Sequence, residues 1–270
     1  MADARGGAPN LGSRRKFDCD DGKTIVMATS DPRTAVAALR LQAVTFDVAN
    51  AIEAAAFWAG LLDREVVMES DATLLPGDER QVGLRFITSK AERVGRPRLH
   101  LHLTSNSLED QRRTVETALR MGGRHLDVGQ GADDGFVVLA DPAGNELCVI
   151  EPGNNYLAGT GHLGEVTCDG TRAVGLFWRD ALGWPLVWDE NEQTAIQSPL
   201  GGTKISWDSW GRSRAGLETG KNRQRFDLVS AEPTREAARL VSLGAAHLAH
   251  LSDQIRLADP DGNEFGLYAG

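Results

Sequence analysis

Residues 141–153 read Asp141-Pro-Ala-Gly-Asn-Glu-Leu-Cys-Val-Ile-Glu-Pro-Gly153. A close copy, Asp259-Pro-Asp-Gly-Asn-Glu-Phe-Gly-Leu-Tyr-Ala-Gly270, begins 118 residues further along, at position 259 instead of 141. In both copies Pro fixes φ, Gly permits left-handed backbone geometry, and an alternating apolar run follows. This pattern is typical of a tight turn that leads into a β-strand. Each copy therefore predicts a hairpin that closes one half of a duplicated chain.

The duplication extends well beyond the hairpin. Val44-Thr-Phe-Asp47 matches Val166-Thr-Cys-Asp169, and Ala56-Phe-Trp58 matches Leu176-Phe-Trp178. Two long copies of this kind predict a tandem pair of units, since about 100 to 150 residues is the usual size of a domain.

The unit boundaries follow from where the similarity stops. We expect a first unit over 41–153, a Gly/Asn-rich linker over 154–160 and a second unit over 161–270. Residues 1–40 resemble neither unit, and we expect them to be an N-terminal extension that is partly disordered.

Within each unit the hydrophobic period alternates between that of a strand and that of a helix in a fixed order. The pattern predicts a strand, a helix and three strands in the first unit, and then the same order again. The second unit shows the same pattern. The sequence therefore predicts an α+β protein built from four βαβββ modules.

Composition narrows the class of protein. The formal charge of −9 argues against nucleic acid as a partner, because binding to phosphates relies on Lys and Arg. No apolar stretch approaches the roughly 18 to 20 residues of a membrane span. The three cysteines, Cys19, Cys148 and Cys168, are odd in number and unclustered, which favours reduced thiols. We therefore expect a soluble, cytoplasmic protein without a membrane partner.

The module order resembles that of a known superfamily. Together with the Phe-Trp pairs, the Leu-His-Leu-His-Leu strand at 99–103 and the two hairpins, it is similar to the vicinal oxygen chelate superfamily of glyoxalases, bleomycin resistance proteins and extradiol dioxygenases. The resemblance implies two tandem glyoxalase-like domains, each a pair of modules that form a curved mixed sheet with a concave ligand cavity. It also implies a monomer with an intramolecular pseudo-dimer, or a homodimer.

Catalytic members of this superfamily bind a divalent metal on the concave face, and the resemblance locates the ligand positions. In the first unit they fall on Ala43, His100 and Cys148, and in the second unit on Glu165, Arg225 and Gly266. A metal site needs at least three good side-chain ligands, and neither unit offers three on its own. We therefore predict no metal ion and no other cofactor.

Several side chains on the predicted strands are candidates for ligand contacts. Strand alternation puts His100 and His102 on one face, and likewise Arg225 and Asp227. Trp188, Trp207 and Tyr268 could form stacking walls for a flat ligand, with core packing as the alternative reading of each. The full set of predicted ligand-binding residues is His100, His102, Cys148, Glu165, Trp188, Trp207, Arg225, Asp227 and Tyr268.

Two functions remain open at this point. The first is a protein that binds a small, aromatic or metabolite-like molecule in the sheet cavity without a metal, as bleomycin-binding relatives do. The alternative is a metal-dependent lyase, isomerase or dioxygenase of the same superfamily. The sequence identifies no catalytic residue and leaves open whether the protein is an enzyme. Cys148 beside His100 is a possible nucleophile, although a cysteine on a buried strand is usually inert.

Overall fold

The computed structural model describes residues 39–90, 97–131, 134–208 and 223–270. The predicted N-terminal extension therefore lies almost entirely outside the described residues, as does Cys19. The described ranges contain sixteen strands and four helices, arranged as four consecutive βαβββ modules.

The first unit holds modules 1 and 2. Module 1 consists of β1 (Arg40–Val48), α1 (Ala51–Leu62), β2 (Val67–Met68), β3 (Ala72–Leu75) and β4 (Gly83–Thr88). Module 2 consists of β5 (Leu99–Leu103), α2 (Leu108–Arg120), β6 (Arg124–His125), β7 (Val137–Ala140) and β8 (Glu146–Val149).

The second unit holds modules 3 and 4. Module 3 consists of β9 (Leu163–Asp169), α3 (Arg172–Leu182), β10 (Leu186–Glu190), β11 (Gln193–Gln197) and β12 (Lys204–Asp208). Module 4 consists of β13 (Gln224–Ser230), α4 (Pro233–Ser242), β14 (Ala246–His250), β15 (Gln254–Ala258) and β16 (Glu264–Ala269).

Local sequence signals set the ends of the helices. The Asn50 side chain accepts a hydrogen bond from the Glu53 amide at 3.2 Å and so caps the start of α1. The helix α3 ends at Gly183, whose φ of 66° is the left-handed geometry that glycine adopts without steric cost.

The strands form two eight-stranded mixed sheets. Sheet 1 has the order β14-β15-β16-β13-β1-β4-β3-β2, and sheet 2 has the order β10-β11-β12-β9-β5-β8-β7-β6. At the centre of each sheet, the first strands of two modules run antiparallel, β1 beside β13 and β5 beside β9. Each sheet is open and curved.

The α+β class and the four βαβββ modules are confirmed, but the sharing of modules between sheets differs from the expectation. We expected the two modules of one unit to form one sheet, whereas sheet 1 joins modules 1 and 4 and sheet 2 joins modules 2 and 3. The physical reason is that strand periodicity specifies which residues face the core and carries no information about which module supplies the neighbouring strand.

Two tryptophans connect the sheets. The helix α1 packs on β3 and β4 of sheet 1, and its Trp58 Nε1 donates to Asp141 Oδ2, in the hairpin of sheet 2, at 3.0 Å. The helix α3 packs on sheet 2, and its Trp178 Nε1 donates to Asp259 Oδ2, in the hairpin of sheet 1, at 3.4 Å. The repeated Phe-Trp and Asp-Pro motifs therefore hold the two modules of each unit together across the sheets.

None of the helices in the described ranges combines the length and the apolar character needed to cross a membrane.

Candidate functional site on sheet 2

The central strand β5 carries two histidines on one face. Leu99, Leu101 and Leu103 alternate with His100 and His102 and are buried in the main core. The two imidazole rings, partly exposed, have centroids 4.8 Å apart. The predicted sharing of a face by His100 and His102 is confirmed.

Both strands beside β5 place a functional side chain next to His102. Cys148 of β8 lies opposite His102 in a parallel pair, and Glu165 of β9 lies opposite it in an antiparallel pair. Cys148 and Glu165 come from different units, so the site exists only because sheet 2 combines modules 2 and 3. We define His100, His102, Cys148 and Glu165 as the sheet 2 cluster.

Glu165 is the most constrained member of the cluster. Its Oε2 lies 2.8 Å from His102 Nδ1, and its Oε1 accepts a hydrogen bond of 2.8 Å from the Tyr156 hydroxyl. Only 4% of Glu165 is exposed, so a carboxylate at this depth requires both partners.

The two ionisable partners hold each other in the charged form. Burial opposes the ionisation of Glu165, but hydrogen bonding to His102 and the charge of its imidazolium lower the pKa of Glu165 to about 2. Burial likewise opposes protonation of His102, but hydrogen bonds to Cys148 and Glu165 raise the pKa of His102 to about 10. The pair is therefore an imidazolium and a carboxylate at neutral pH.

An aromatic surface adjoins this ion pair. The Tyr156 ring meets the Trp188 ring edge to face, with centroids 5.8 Å apart, and Trp188 remains 39% exposed. Lys204 Nζ lies 4.0 Å from the centroid of the Tyr156 ring and also donates to the Tyr156 carbonyl oxygen. Tyr156 therefore links the polar cluster to an accessible aromatic side chain.

An apolar cluster lies beside the same face and includes Cys148. It consists of the buried residues Val138, Cys148, Ile150 and Leu157, with Leu126, Val128, Phe136 and Tyr156 packed against them. The sheet 2 cluster thus has the composition of a small-molecule site, with a few polar groups among apolar and aromatic side chains.

The predicted aromatic wall does not assemble. Trp207 lies on the opposite face of β12, is 1% exposed and belongs to the main core, because the alternation of β12 directs it away from the face that carries Glu165. Tyr268 lies on β16 of sheet 1. Of the three predicted aromatic side chains, only Trp188 lies beside the sheet 2 cluster.

Sheet 1 carries a charged network at the equivalent place. Asp227 accepts hydrogen bonds from Thr45 Oγ1 at 2.5 Å and from Arg85 Nη1 at 3.2 Å, and its Oδ1 lies 3.6 Å from Arg225 Nε. Arg85 also lies 5.2 Å from the centroid of the Tyr268 ring. The two guanidinium groups of this network already pair with its carboxylates and disfavour a metal ion there.

The metal prediction counted His100 and Cys148 in the first unit and left out His102, which lies on the same face of β5. Ligand atoms of His100, His102 and Cys148 lie within 4.8 Å of one another, and Glu165 is hydrogen-bonded to His102. Two imidazoles and a thiolate suit a zinc-like ion at about 2.0–2.3 Å, and the Glu165 contact to Nδ1 would leave His102 Nε2 free to ligate. The residue types therefore fit a metal ion.

Sequence reasoning missed Tyr156 and Lys204. Tyr156 lies in the predicted linker, where no periodicity indicates the direction of a side chain. Lys204 lies opposite Glu165 in the parallel pair of β12 and β9 within module 3, so the register of that pair would have identified it.

Comparisons with known proteins agree with this architecture. A family model described as "Glyoxalase-like domain" matches residues 43–150 and 165–268. The chain therefore belongs to the glyoxalase-like domain family, within the vicinal oxygen chelate superfamily.

Solved structures show the same fold at low sequence identity. Glyoxalase I from Zea mays superimposes with a TM-score of 0.62 at 14% identity, covering 86% of this chain and 92% of that chain. A "putative dioxygenase" from Bacillus subtilis subsp. subtilis str. 168 superimposes with a TM-score of 0.54 at 13% identity, covering 85% of this chain and 84% of that chain. No curated protein sequence matches this chain.

Proposed function

We propose that this protein binds a small aromatic or metabolite-like molecule on the open face of sheet 2, without a metal ion. The observation that carries the proposal is the continuous chain of contacts from Trp188 through Tyr156 and Glu165 to His102. A flat ligand would stack on the accessible indole of Trp188, beside the Tyr156 ring that the His102–Glu165 ion pair holds in place through the Tyr156 hydroxyl.

The His102–Glu165 pair favours the metal-free form of this proposal. Glu165 already uses both oxygens, and His102 carries its proton up to about pH 10. A metal ion bound by His102 would have to displace one of its ring protons, whereas an organic ligand stacked on Trp188 would leave the ion pair intact. The family fold supports a ligand on a curved sheet, and these residues supply its chemistry.

Tryptophan fluorescence tests this proposal directly. A panel of aromatic natural products titrated into chelator-treated protein is expected to change the emission for at least one compound, because Trp188 is accessible. Trp188→Leu should weaken binding of that compound up to about tenfold through loss of stacking, measured by calorimetry because this variant lacks the reporting indole. Trp207→Phe is the matched control, since Trp207 lies on the opposite face. Silence across the panel, or equal affinities for both variants, would contradict the proposal.

A metal-dependent lyase, isomerase or dioxygenase is the second candidate, and the grouping of ligand atoms favours it. His100, His102 and Cys148 would hold a divalent ion, with Glu165 orienting His102 through Nδ1. When bound, such an ion supplies Lewis-acid polarisation of a substrate oxygen.

Zinc titration by calorimetry separates the two candidates. A metal site predicts one ion per chain, with affinity lowered at least about tenfold in Cys148→Ser because a thiolate ligand is lost. Cys168→Ser is the control, since Cys168 is also buried but belongs to the core on the other face of sheet 2. Zinc binding with this pattern would replace the metal-free proposal, and no binding by the wild-type protein would remove the metal candidate.

A further inference from the structure

Cys148 places a thiol on the open face of sheet 2, beside the pair that His102 and Glu165 form. In the register of the sheet, His102 lies between Cys148 of β8 on one side and Glu165 of β9 on the other. The three side chains therefore form a row across three neighbouring strands, on one face of sheet 2. We call the row of Cys148, His102 and Glu165 the thiol triad.

Short distances link the three members of the thiol triad. Nδ1 of His102 lies 2.8 Å from Glu165 Oε2, and the Tyr156 hydroxyl holds Glu165 in turn at 2.8 Å. A ring nitrogen of His102 and the Sγ of Cys148 lie within 4.8 Å of each other. A thiol, an imidazole and a carboxylate in this order are the arrangement in which an imidazole activates a nucleophile and a carboxylate orients the imidazole.

The accessible side of Cys148 is the side that carries His102. The side chain of His102 is 18% exposed and Cys148 is 5% exposed, whereas Leu147 and Val149, on the other face of β8, are fully buried in the main core. The edges of β8 are covered by its neighbours β5 and β7. A small molecule on the open face can therefore approach the thiol from the side of His102.

Cys168 is a thiol of similar exposure without this arrangement. It is 7% exposed and belongs to the core on the other face of sheet 2. Burial and the nearby carboxylates of Asp259 and Asp169 raise the pKa of Cys168 well above its ordinary value, so its unreactive thiol form persists. Cys148 instead has the imidazolium of His102 as its neighbour, and a cationic neighbour favours the nucleophilic form of a thiol. The two cysteines are therefore expected to differ in reactivity.

The surroundings of Cys148 favour addition over other reactions of a thiol. Acyl transfer needs free donors for an oxyanion, and the amides of β8 are engaged in its pairing with β5 and β7. A disulfide needs a second thiol, and within the described residues the other cysteine, Cys168, lies on the opposite face. Addition to an electrophilic double bond needs neither. The apolar cluster of Val138, Ile150 and Leu157 beside Cys148 suits an apolar acceptor.

We propose that Cys148 adds to an apolar α,β-unsaturated carbonyl compound on the open face of sheet 2, with His102 as the proton donor. The sulfur forms a bond to the β-carbon, the carbon–carbon π bond breaks, and the α-carbon receives a proton from the His102 imidazolium. The thiol proton passes to His102, so the net change is addition of S–H across the double bond, and no oxidant is required. Glu165 is a positioning residue that holds His102.

This reaction goes beyond the proposed binding function. It does not require a ligand on Trp188, which lies on the edge strand β10 of sheet 2, whereas Cys148 lies on β8. Failure of the reaction at Cys148 and failure of aromatic binding at Trp188 are therefore distinguishable.

N-Ethylmaleimide, an α,β-unsaturated imide, tests the proposal on chelator-treated protein, with peptide mapping by mass spectrometry to follow each cysteine. We expect Cys148 to react at least about tenfold faster than Cys168 in the same sample, although the two are similarly buried. Cys168 thus serves as an internal control for burial.

Substitutions in the thiol triad test the role of each neighbour of Cys148. His102→Gln keeps the approximate size of the side chain but removes the proton donor, so it should slow Cys148 at least about tenfold. Glu165→Gln should also slow it, because His102 loses the carboxylate that positions it. His100→Gln is the matched control, since the register pairs His102, and not His100, with Cys148. It should change the rate by less than about threefold, because the proton donor stays in place.

Three results would overturn the proposal. They are equal rates for Cys148 and Cys168, a Cys148 rate that is unchanged in His102→Gln, and an equal loss of rate in His100→Gln. Partial unfolding would expose both cysteines, so the ratio of their rates separates loss of activation from loss of structure. His102→Gln and Glu165→Gln are independent substitutions, so the test remains decisive if one of the two variants fails to fold.

Discussion

Replacing Trp178 by alanine is expected to lower the free energy of unfolding by about 3–5 kcal/mol, the usual cost of truncating a buried aromatic side chain. Trp178 is 1% exposed, and its ring centroid lies 5.0 Å from the centroids of both Phe226 and Phe265. Those two phenylalanines belong to sheet 1, whereas α3 packs on sheet 2. The substitution therefore opens a cavity at the junction of the sheets and leaves Asp259 without its indole donor.

Urea denaturation followed by circular dichroism measures this effect. Trp188→Ala is the matched control, because Trp188 is 39% exposed and its loss should cost less than about 1 kcal/mol. If the two variants lose similar amounts of stability, Trp178 does not hold the sheets together in the way described.

Removing the charge of Glu165 is expected to lower the free energy of unfolding by an amount that depends on pH. The raised pKa of His102 stabilises the fold fully below its ordinary value of 6.5, and this stabilisation is lost as pH rises through about 10. The lowered pKa of Glu165 stabilises the fold above its ordinary value of 4.5, and this stabilisation is lost as pH falls through about 2. The ion pair therefore contributes most between about pH 4.5 and 6.5.

Glu165→Gln should accordingly lose roughly 3 kcal/mol near pH 6, since one pKa unit corresponds to about 1.4 kcal/mol and both shifts report the same pair. The difference from the wild-type protein should shrink as pH approaches 10. Urea denaturation of chelator-treated protein at several pH values gives the difference, and NMR titration of the His102 imidazole gives its pKa. A pH-independent difference would show that His102 and Glu165 do not form the proposed ion pair.

The repeated sequence predicts most of the helices and strands and their order along the chain. The hairpins after Asp141 and Asp259, the helices that carry Trp58 and Trp178, and the order of strands all follow from turn chemistry and hydrophobic period. The sequence does not reveal which two modules share a sheet, because the alternation of β1 is compatible with any neighbouring strand. Pairing between β1 and β13 depends on contacts over 182 residues of chain, such as that of Thr45 with Asp227.

The pairing of modules, which the sequence does not reveal, also limited what could be predicted of the site. Strand alternation identified His100 and His102, and alignment of the repeats identified Cys148 and Glu165, but they were assigned to separate units. Only the register of β5 with β8 and β9 brings these residues together. Tyr156 contributes from an irregular segment, where side-chain direction depends on tertiary packing.

Because each sheet contains strands from both units, neither sheet can be completed while only the first unit has left the ribosome. When only the first unit has been synthesised, β1 lacks its antiparallel neighbour β13 and β5 lacks its antiparallel neighbour β9. Both nascent half-sheets expose an unpaired edge until translation supplies β9 and then β13, and such edges are prone to aggregation. Sheet 2 can be completed first, because β9 is synthesised before β13, so the edge of β1 stays unpaired for longer than that of β5.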